Sequence, residues 1–241
     1  NPARILVETI HNGGEDAEAT VEILFNGRVV AQGVGERIEL DIPNAKLWSE
    51  TTPYLYQCRV ILKEKGLIVD EVVENFGIRL IEWSNNGLFI NGKEIKLRGG
   101  CIHHDNGILG ACAYDNAEER RVRIMKQAGY NAIRSAHNPI SKAMLDACDR
   151  YGMYVMDEAF DMWYIPKTKY DYSRDFDKWH LEDIELMVDK DKNHPCVIMY
   201  SIGNEVTEPV QERGIELARE MVEYIHKIDP TRPVTCGINL M

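Results

Sequence analysis

The sequence has no apolar run that approaches the roughly 20 residues needed to span a membrane. Basic residues are also scarce, since 28 lysines and arginines against 39 aspartates and glutamates give a formal net charge of −11. Surfaces that bind nucleic acid or anionic membranes need clustered lysine and arginine, so we expect neither partner. There is no G-x-G-x-x-G or Walker sequence, and we expect no cofactor.

Cysteine pairs are missing as well. The sequence has six cysteines, but they form no C-x-x-C pair and show no zinc-finger spacing. Cys148 falls within an amphipathic helical pattern, and Cys196 and Cys236 fall within apolar strand patterns. We therefore expect buried free thiols, which favours a reducing compartment and the cytoplasm slightly over the periplasm.

Residues 1–82 carry strand signals and almost no helix signal. Two strand-like runs are joined by Asn26-Gly27, which is the strongest short signal for a β-hairpin. Short runs at this spacing predict a small antiparallel β-sandwich over residues 1–82, and the family resemblance given below implies that this sandwich is immunoglobulin-like. The runs are residues 21–25, 28–32, 37–42, 57–63 and 68–73.

From residue 83 to residue 241 the pattern changes to strands that alternate with helices. Helix starts are indicated by a capping-box arrangement at Asp115 and Glu118 and by Ser141, and Gly152 is a helix stop. A fourth helix is expected to begin at Pro209. This alternation predicts a parallel (β/α) barrel.

The predicted barrel is incomplete. Only five strands can be recognised in the 158 residues from 84 to 241, whereas a full eightfold TIM barrel takes about 250 residues. We expect residues 83–241 to be the first part of a TIM-barrel domain, and the chain to be a fragment of a longer protein. Because Asn1-Pro2 is an unusual natural start, residues upstream are also expected.

The run from Cys196 to Ile202 is typical of a parallel strand that is buried on both faces. Gly203 lets the chain leave the sheet, and Asn204 and Glu205 then stand at the carboxyl end of the strand, where barrel enzymes carry their catalytic groups. In the alternative interpretation, Glu205 caps the helix that follows.

Other polar residues are predicted at strand ends, and they allow two chemistries. In the first, His103, His104, Asp105 and His137 bind a hydrolytic metal ion, although adjacent histidines in an extended segment point to opposite sides. In the second, Glu205 protonates a leaving glycosidic oxygen, and a second carboxylate about 5–5.5 Å away acts as the nucleophile of a retaining glycosidase. The full set of strand-end residues is His103, His104, Asp105, Arg134, His137, Asn138, Asp157, Glu158, Asn204 and Glu205.

Several motifs resemble glycoside hydrolase family 2, which includes β-galactosidases, β-glucuronidases and β-mannosidases. They occur in the family's order and span nearly the whole chain. In the first half they are Leu47-Trp48-Ser49, Pro53-Tyr54-Leu55-Tyr56 and Phe76-Gly77-Ile78-Arg79. In the second half they are Asn91-Gly92-Lys93, Arg98-Gly99, Ala132-Ile133-Arg134 with His137 and Pro139, Cys148-Asp149 with Tyr151-Gly152, Asp157-Glu158-Ala159, and residues 193–205 up to Gly203-Asn204-Glu205.

The resemblance implies roles for individual residues. Glu205 matches the general acid/base and Asn204 the residue that contacts the sugar 2-hydroxyl. His103 and His137 match the histidines of the sugar subsite, and Arg134 matches the arginine that supports the nucleophile. We expect Glu158 to support the site in the same way. The family's nucleophile is a glutamate on the seventh barrel strand, which implies that it lies outside this chain and that the chain alone is inactive.

The segment after the third strand departs from members of the family that bind Mg²⁺. Their glutamate and histidine ligands are absent from residues 160–164, so a member without metal is expected. Trp163 is a candidate aromatic platform for the sugar, with packing beneath the loop as the alternative. The implied substrate is a β-glycoside, most closely a β-galactoside, with β-glucuronidase, β-mannosidase or an inert carbohydrate-binding fragment as alternatives. A homo-oligomer of the full-length protein is left open.

Overall fold

The computed structural model describes residues 2–239, which divide into two compact units between Arg79 and Leu80. The first unit is an antiparallel β-sandwich. A two-stranded sheet pairs β1 with β4, and a four-stranded sheet has the order β3-β2-β5-β6. The strands are β1 (Ala3–Glu8), β2 (Ala17–Phe25), β3 (Arg28–Val34), β4 (Arg37–Ile42), β5 (Tyr56–Glu64) and β6 (Leu67–Phe76).

The two sheets of this unit share one apolar core. Val21, Ile23, Ile42 and Tyr56 are at most 2% exposed and pack together. Along β1, β2 and β4, residues that face this core alternate with more exposed ones, as the period of two in the sequence predicts. The β2–β3 hairpin turns at Asn26 and Gly27 with φ values of 50° and 73°, both in the left-handed region that this turn requires. The predicted hairpin and sandwich are therefore confirmed.

The second unit begins with a small antiparallel sheet of β7 (Ile81–Ser84), β8 (Gly87–Ile90) and β9 (Lys93–Ile95). It continues as a parallel sheet with strand order β10-β11-β12-β13-β14. Helices connect successive strands of this sheet, which confirms the partial (β/α) barrel. The elements are β10 (Gly99–Ile102), α1 (Asp115–Gln127), β11 (Ala132–Ser135), α2 (Lys142–Tyr151), β12 (Tyr154–Glu158), α3 (Ser173–Asp191), β13 (Val197–Ser201), α4 (Glu212–Ile228) and β14 (Val234–Thr235).

Local signals set some helix ends correctly and others incorrectly. The Ser141 hydroxyl accepts from the Met144 N–H and caps α2, and Gly152 ends that helix in the left-handed conformation. The capping box predicted for α1 is wrong, because Tyr114 is the N-cap residue and no side chain caps the helix. The Glu118 carboxylate instead accepts a hydrogen bond of 2.6 Å from Asn106.

The start of α4 also differs from the prediction. Pro209 lies in a separate 3₁₀ turn (Glu208–Val210), and α4 begins at Glu212. The turn folds closely over the helix, since a Cβ atom on Gly214 would lie 1.9 Å from the Glu208 carbonyl oxygen. A helix running continuously from Pro209 could not make this close approach.

The cysteines are free, but not all are buried. Cys148 and Cys196 are fully buried, whereas Cys101 and Cys112 are exposed, so the prediction of buried thiols is wrong for the latter pair. Cys101 belongs to a row of side chains with Arg134 and Met156 on the less covered face of the parallel sheet. Across residues 2–239, no helix combines the length and apolar character needed to cross a membrane.

Candidate active site

Successive side chains of a barrel strand point to opposite faces of the sheet, so only polar side chains on the same face can contact one another. Glu158 and Ser201 are partners in the pairing of β12 with β13, and the Ser201 hydroxyl donates to Glu158 Oε2 at 2.7 Å. Asp157 points to the opposite face, where it accepts from the Ile140 N–H at 3.0 Å. Of the two adjacent acidic residues, only Glu158 therefore belongs to the site.

Glu158 is the centre of a hydrogen-bond network, and its side chain is 0% exposed. Its carboxylate accepts from Arg134 Nε at 3.1 Å and from Arg134 Nη2 at 2.9 Å. His137 Nδ1 lies 2.8 Å from Glu158 Oε1. Because a carboxylate only accepts, Nδ1 is the protonated nitrogen in that bond. A buried carboxylate requires such donors, and it holds Arg134 and His137 in fixed positions.

Arg134 connects this network to Asn204. Its Nη2 donates to Asn204 Oδ1 at 2.7 Å, and Asn204 Nδ2 donates to Asp161 Oδ1 at 2.9 Å. The amide is thus held from both sides in one orientation. An amide nitrogen has two N–H groups, so within the described residues one of them remains to donate to a ligand.

Glu205 follows Asn204 directly and is exposed. Its φ of 46° lies in the left-handed region, which is sparsely populated by residues other than glycine and is found disproportionately at functional sites. Its carboxylate forms no hydrogen bond with any residue between 2 and 239. The N-cap positions that follow are Thr207 and Gln211, so the interpretation of Glu205 as a helix cap is wrong.

The histidines that the sequence singles out separate into two groups. The rings of His103 and His137 lie edge to face with centroids 5.3 Å apart, so these two meet beside Arg134. His104 turns away to the Pro139 carbonyl oxygen at 3.1 Å, and Asp105 accepts from the Gly107 N–H. The metal site postulated from His103, His104, Asp105 and His137 is therefore wrong, because adjacent side chains diverge.

Within residues 2–239, one cluster brings together three side chains of the kinds that bind metal ions. They are Asp146, Asp149 and His194. His194 Nδ1 faces Asp149 Oδ2 at 2.6 Å and donates to it, so this nitrogen has no lone pair for a metal ion. Near Glu205, the Asp161 carboxylate is paired with the Lys167 ammonium at 2.8 Å. This carboxylate beside Glu205 is therefore already paired with a cation.

Trp163 does not lie where a sugar platform requires it. The indole ring is 0% exposed, and its Nε1 donates to the Ile202 carbonyl oxygen at 2.7 Å. A Cβ atom on Gly203 would lie 2.9 Å from the same nitrogen. Since stacking on a sugar needs an open aromatic face, its assignment to substrate binding is wrong, and Trp163 supports the strand end from below.

Three residues of the site were missed by sequence reasoning. Ser201 lies within the predicted buried strand, and Asp161 and Lys167 lie in the loop after β12. The burial of Asp161 would raise its pKa, but hydrogen bonds from Lys167 and Asn204 outweigh this effect and lower it. For Asp161 and Lys167, the sequence feature that could have indicated a role is an acidic and a basic residue a few positions after the end of a strand.

Comparison with known proteins identifies the family of this chain. The profile of the glycosyl hydrolases family 2, TIM barrel domain, matches residues 81–240, and that of glycosyl hydrolases family 2 matches residues 3–79. The β-galactosidase BoGH2A of Bacteroides ovatus is 36% identical over 98% of this chain and 30% of its own length. The β-glucuronidase of Felis catus is 33% identical over 94% of this chain and 36% of its own length.

A solved structure of the same family is also similar to this chain. The glycosyl hydrolase family 2 member from Bacteroides cellulosilyticus has a TM-score of 0.88 and 41% identity, and the match covers 100% of this chain and 31% of that one. The chain thus spans about a third of the length of these relatives. It belongs to glycoside hydrolase family 2.

Proposed function

We propose that the full-length protein, meaning the complete natural reading frame that contains these 241 residues, is a retaining β-glycosidase. Glu205 is its general acid/base and Asn204 its contact with the sugar 2-hydroxyl. Relatives named as β-galactosidase and β-glucuronidase support a β-glycosidic substrate. The nucleophile is a second carboxylate from another part of the full-length barrel.

One observation carries the proposal: an exposed carboxyl group follows directly after an amide that is fixed on both sides. A series of side-chain hydrogen bonds runs from Glu158 through Arg134 to Asn204. It joins only charged or amide groups, with donor–acceptor distances of 2.7–3.1 Å. Such preorganisation costs desolvation free energy, since it buries a carboxylate completely. It gives a rigid frame for binding a substrate hydroxyl beside Glu205.

The proposed reaction proceeds in two steps. In the first, the protonated Glu205 carboxyl donates its proton to the glycosidic oxygen while the nucleophilic carboxylate attacks the anomeric carbon and the bond to the aglycone breaks. In the second, the Glu205 carboxylate takes a proton from water, and the hydroxide so formed displaces the nucleophile. The hydrogen bond of Asn204 to the 2-hydroxyl strengthens as positive charge develops on the sugar ring.

The charges around the site favour a neutral sugar over a glucuronide, and among neutral sugars we propose a β-galactoside. Arg134 is paired with Glu158, and Lys167 is paired with Asp161. Among the described residues at this strand end, no arginine or lysine is left without an acidic partner to bind the carboxylate of a glucuronide. A carboxylate desolvated without a cation is costly, so a glucuronide would depend on a cation from elsewhere in the barrel.

A substrate panel tests the proposal. The full-length protein should hydrolyse 4-nitrophenyl β-galactoside with a kcat/KM at least about tenfold above the values for the matching glucuronide and mannoside, because discrimination follows transition-state contacts. Initial rates of nitrophenol release measure this directly. A mock purification from the same host serves as the background.

Each outcome of the panel decides one point. Preference for the glucuronide or mannoside would overturn the choice of sugar and leave the β-glycosidase intact. Absence of hydrolysis of every β-glycoside, by protein that is folded and monodisperse, would overturn the proposed function itself.

A further inference from the structure

The loop after β12 returns a lysine to the strand end that carries Glu205. Lys167 Nζ donates to the Asn204 carbonyl oxygen at 2.8 Å and to Asp161 Oδ1 at 2.8 Å. The same Asp161 oxygen accepts from the Asn204 side-chain amide at 2.9 Å. Lys167 and Asp161 therefore hold Asn204 by its main chain and its side chain together, and we call this pair the Lys167–Asp161 clamp.

The clamp acts on the peptide group that joins Asn204 to Glu205. Glu205 has a φ of 46°, and a residue with a side chain keeps this conformation only when its surroundings impose it. The flanking N–H groups are tied to other loops, Asn204 to the Phe160 carbonyl and Val206 to the Gly237 carbonyl, each at 3.0 Å. The bond from Lys167 fixes the carbonyl oxygen directly before Glu205.

The exposure of the clamp indicates that its purpose is geometric. The side chains of Lys167 and Asp161 are 30% and 35% exposed, and ion pairs this open to solvent contribute little to folding stability. A displacement of a catalytic group by about 1 Å can lower the rate by as much as about 100-fold. The effect on catalysis should therefore exceed the effect on stability.

We propose that Lys167 and Asp161 are positioning residues that fix the Asn204–Glu205 peptide, so that the Glu205 carboxyl meets the glycosidic oxygen. This inference rests on the proposed function. Both residues act through Asn204 and Glu205, and neither needs to touch the substrate.

The test compares substrates with poor and good leaving groups in the full-length protein. Lys167→Met should lower kcat/KM for an alkyl β-glycoside, which needs protonation, by about 10- to 100-fold. For the 2,4-dinitrophenyl β-glycoside of the same sugar, which leaves without protonation, kcat/KM should fall less than about threefold. The readout is the ratio of the two values, because loss of folded enzyme lowers both equally.

Two further variants complete the design. Lys169→Met is the matched control, since Lys169 is exposed in the same loop and its ammonium lies 5.0 Å from the Tyr170 ring centroid; both kcat/KM values should stay unchanged. Lys167→Arg keeps a cation and should recover part of the ratio. Adding Asp161→Asn to Lys167→Met should change the ratio little further, because the two residues act as one unit.

The results separate the clamp from the proposed function. An active wild-type enzyme whose ratio is unchanged in Lys167→Met, or changed as much in Lys169→Met, would overturn the clamp alone. Failure of the wild-type enzyme on every β-glycoside would overturn the proposed function on which the clamp rests.

Discussion

Glu205→Gln in the full-length protein should lower kcat/KM for alkyl β-glycosides by about 10²–10⁴, the range that general acid catalysis supplies. Glutamine keeps the size of the side chain and its exposed position but cannot donate a carboxyl proton. For a dinitrophenyl β-glycoside, formation of the glycosyl-enzyme should be nearly unaffected, because this leaving group needs no proton. Hydrolysis of that intermediate should slow, so an initial burst of dinitrophenol should appear.

A matched control separates this effect from a general change of charge. Glu212→Gln removes an equivalent charge from an exposed position in the first turn of α4, and it should leave both substrates unaffected. If Glu205→Gln hydrolysed alkyl β-glycosides at the wild-type rate, the role given to Glu205 would be wrong.

Arg232→Met should cause the largest loss of stability. The Arg232 side chain is 3% exposed, pairs with the buried Asp229 and donates to the carbonyl oxygens of Val197, Lys192 and His194 at 2.7, 2.8 and 3.0 Å. Methionine fills similar space but removes the donor to these three carbonyls and the cation beside the Asp229 carboxylate, which keeps only its neutral donors from Tyr200 and Thr231. Removing one partner of a buried ion pair costs about 3–5 kcal/mol.

This loss can be measured through the activity of the barrel. The temperature of half-inactivation of full-length Arg232→Met should fall by about 6–20 °C, using about 2–4 °C per kcal/mol for a domain of this size. Arg219→Met is the control, because Arg219 lies exposed on α4 and should shift this temperature by less than about 2 °C. A shift equally small in Arg232→Met would show that the segment entering β13 does not depend on this ion pair.

The architecture could be predicted from sequence at positions where a residue type has a strong preference for one local conformation. Asn26 and Gly27 accept the left-handed turn of a hairpin, Ser141 caps a helix, and Gly152 ends it. Capping at Glu118 failed because the same carboxylate could instead bind Asn106 in the loop that precedes α1. Local patterns do not contain that competition.

The site was predictable as far as strand ends define it. Arg134, His137, Asn204 and Glu205 each follow or end a recognisable strand, and the parallel sheet brings these ends together. Trp163 was assigned wrongly because an indole can face a sugar or pack in a core, and only the fold decides between them. Lys167 was missed because it lies in a loop without periodicity, and its partner Asn204 is 37 residues away.

The product that Glu205→Ala forms in the presence of azide tests the central assignment most directly. With a dinitrophenyl β-glycoside, the intact nucleophile should still form the glycosyl-enzyme, and azide should enter the space left by Glu205. Azide should accelerate turnover and give a β-glycosyl azide, identified by NMR of the anomeric proton. An α-glycosyl azide would make Glu205 the nucleophile, and turnover unaffected by azide without any azide product would contradict its role as acid/base.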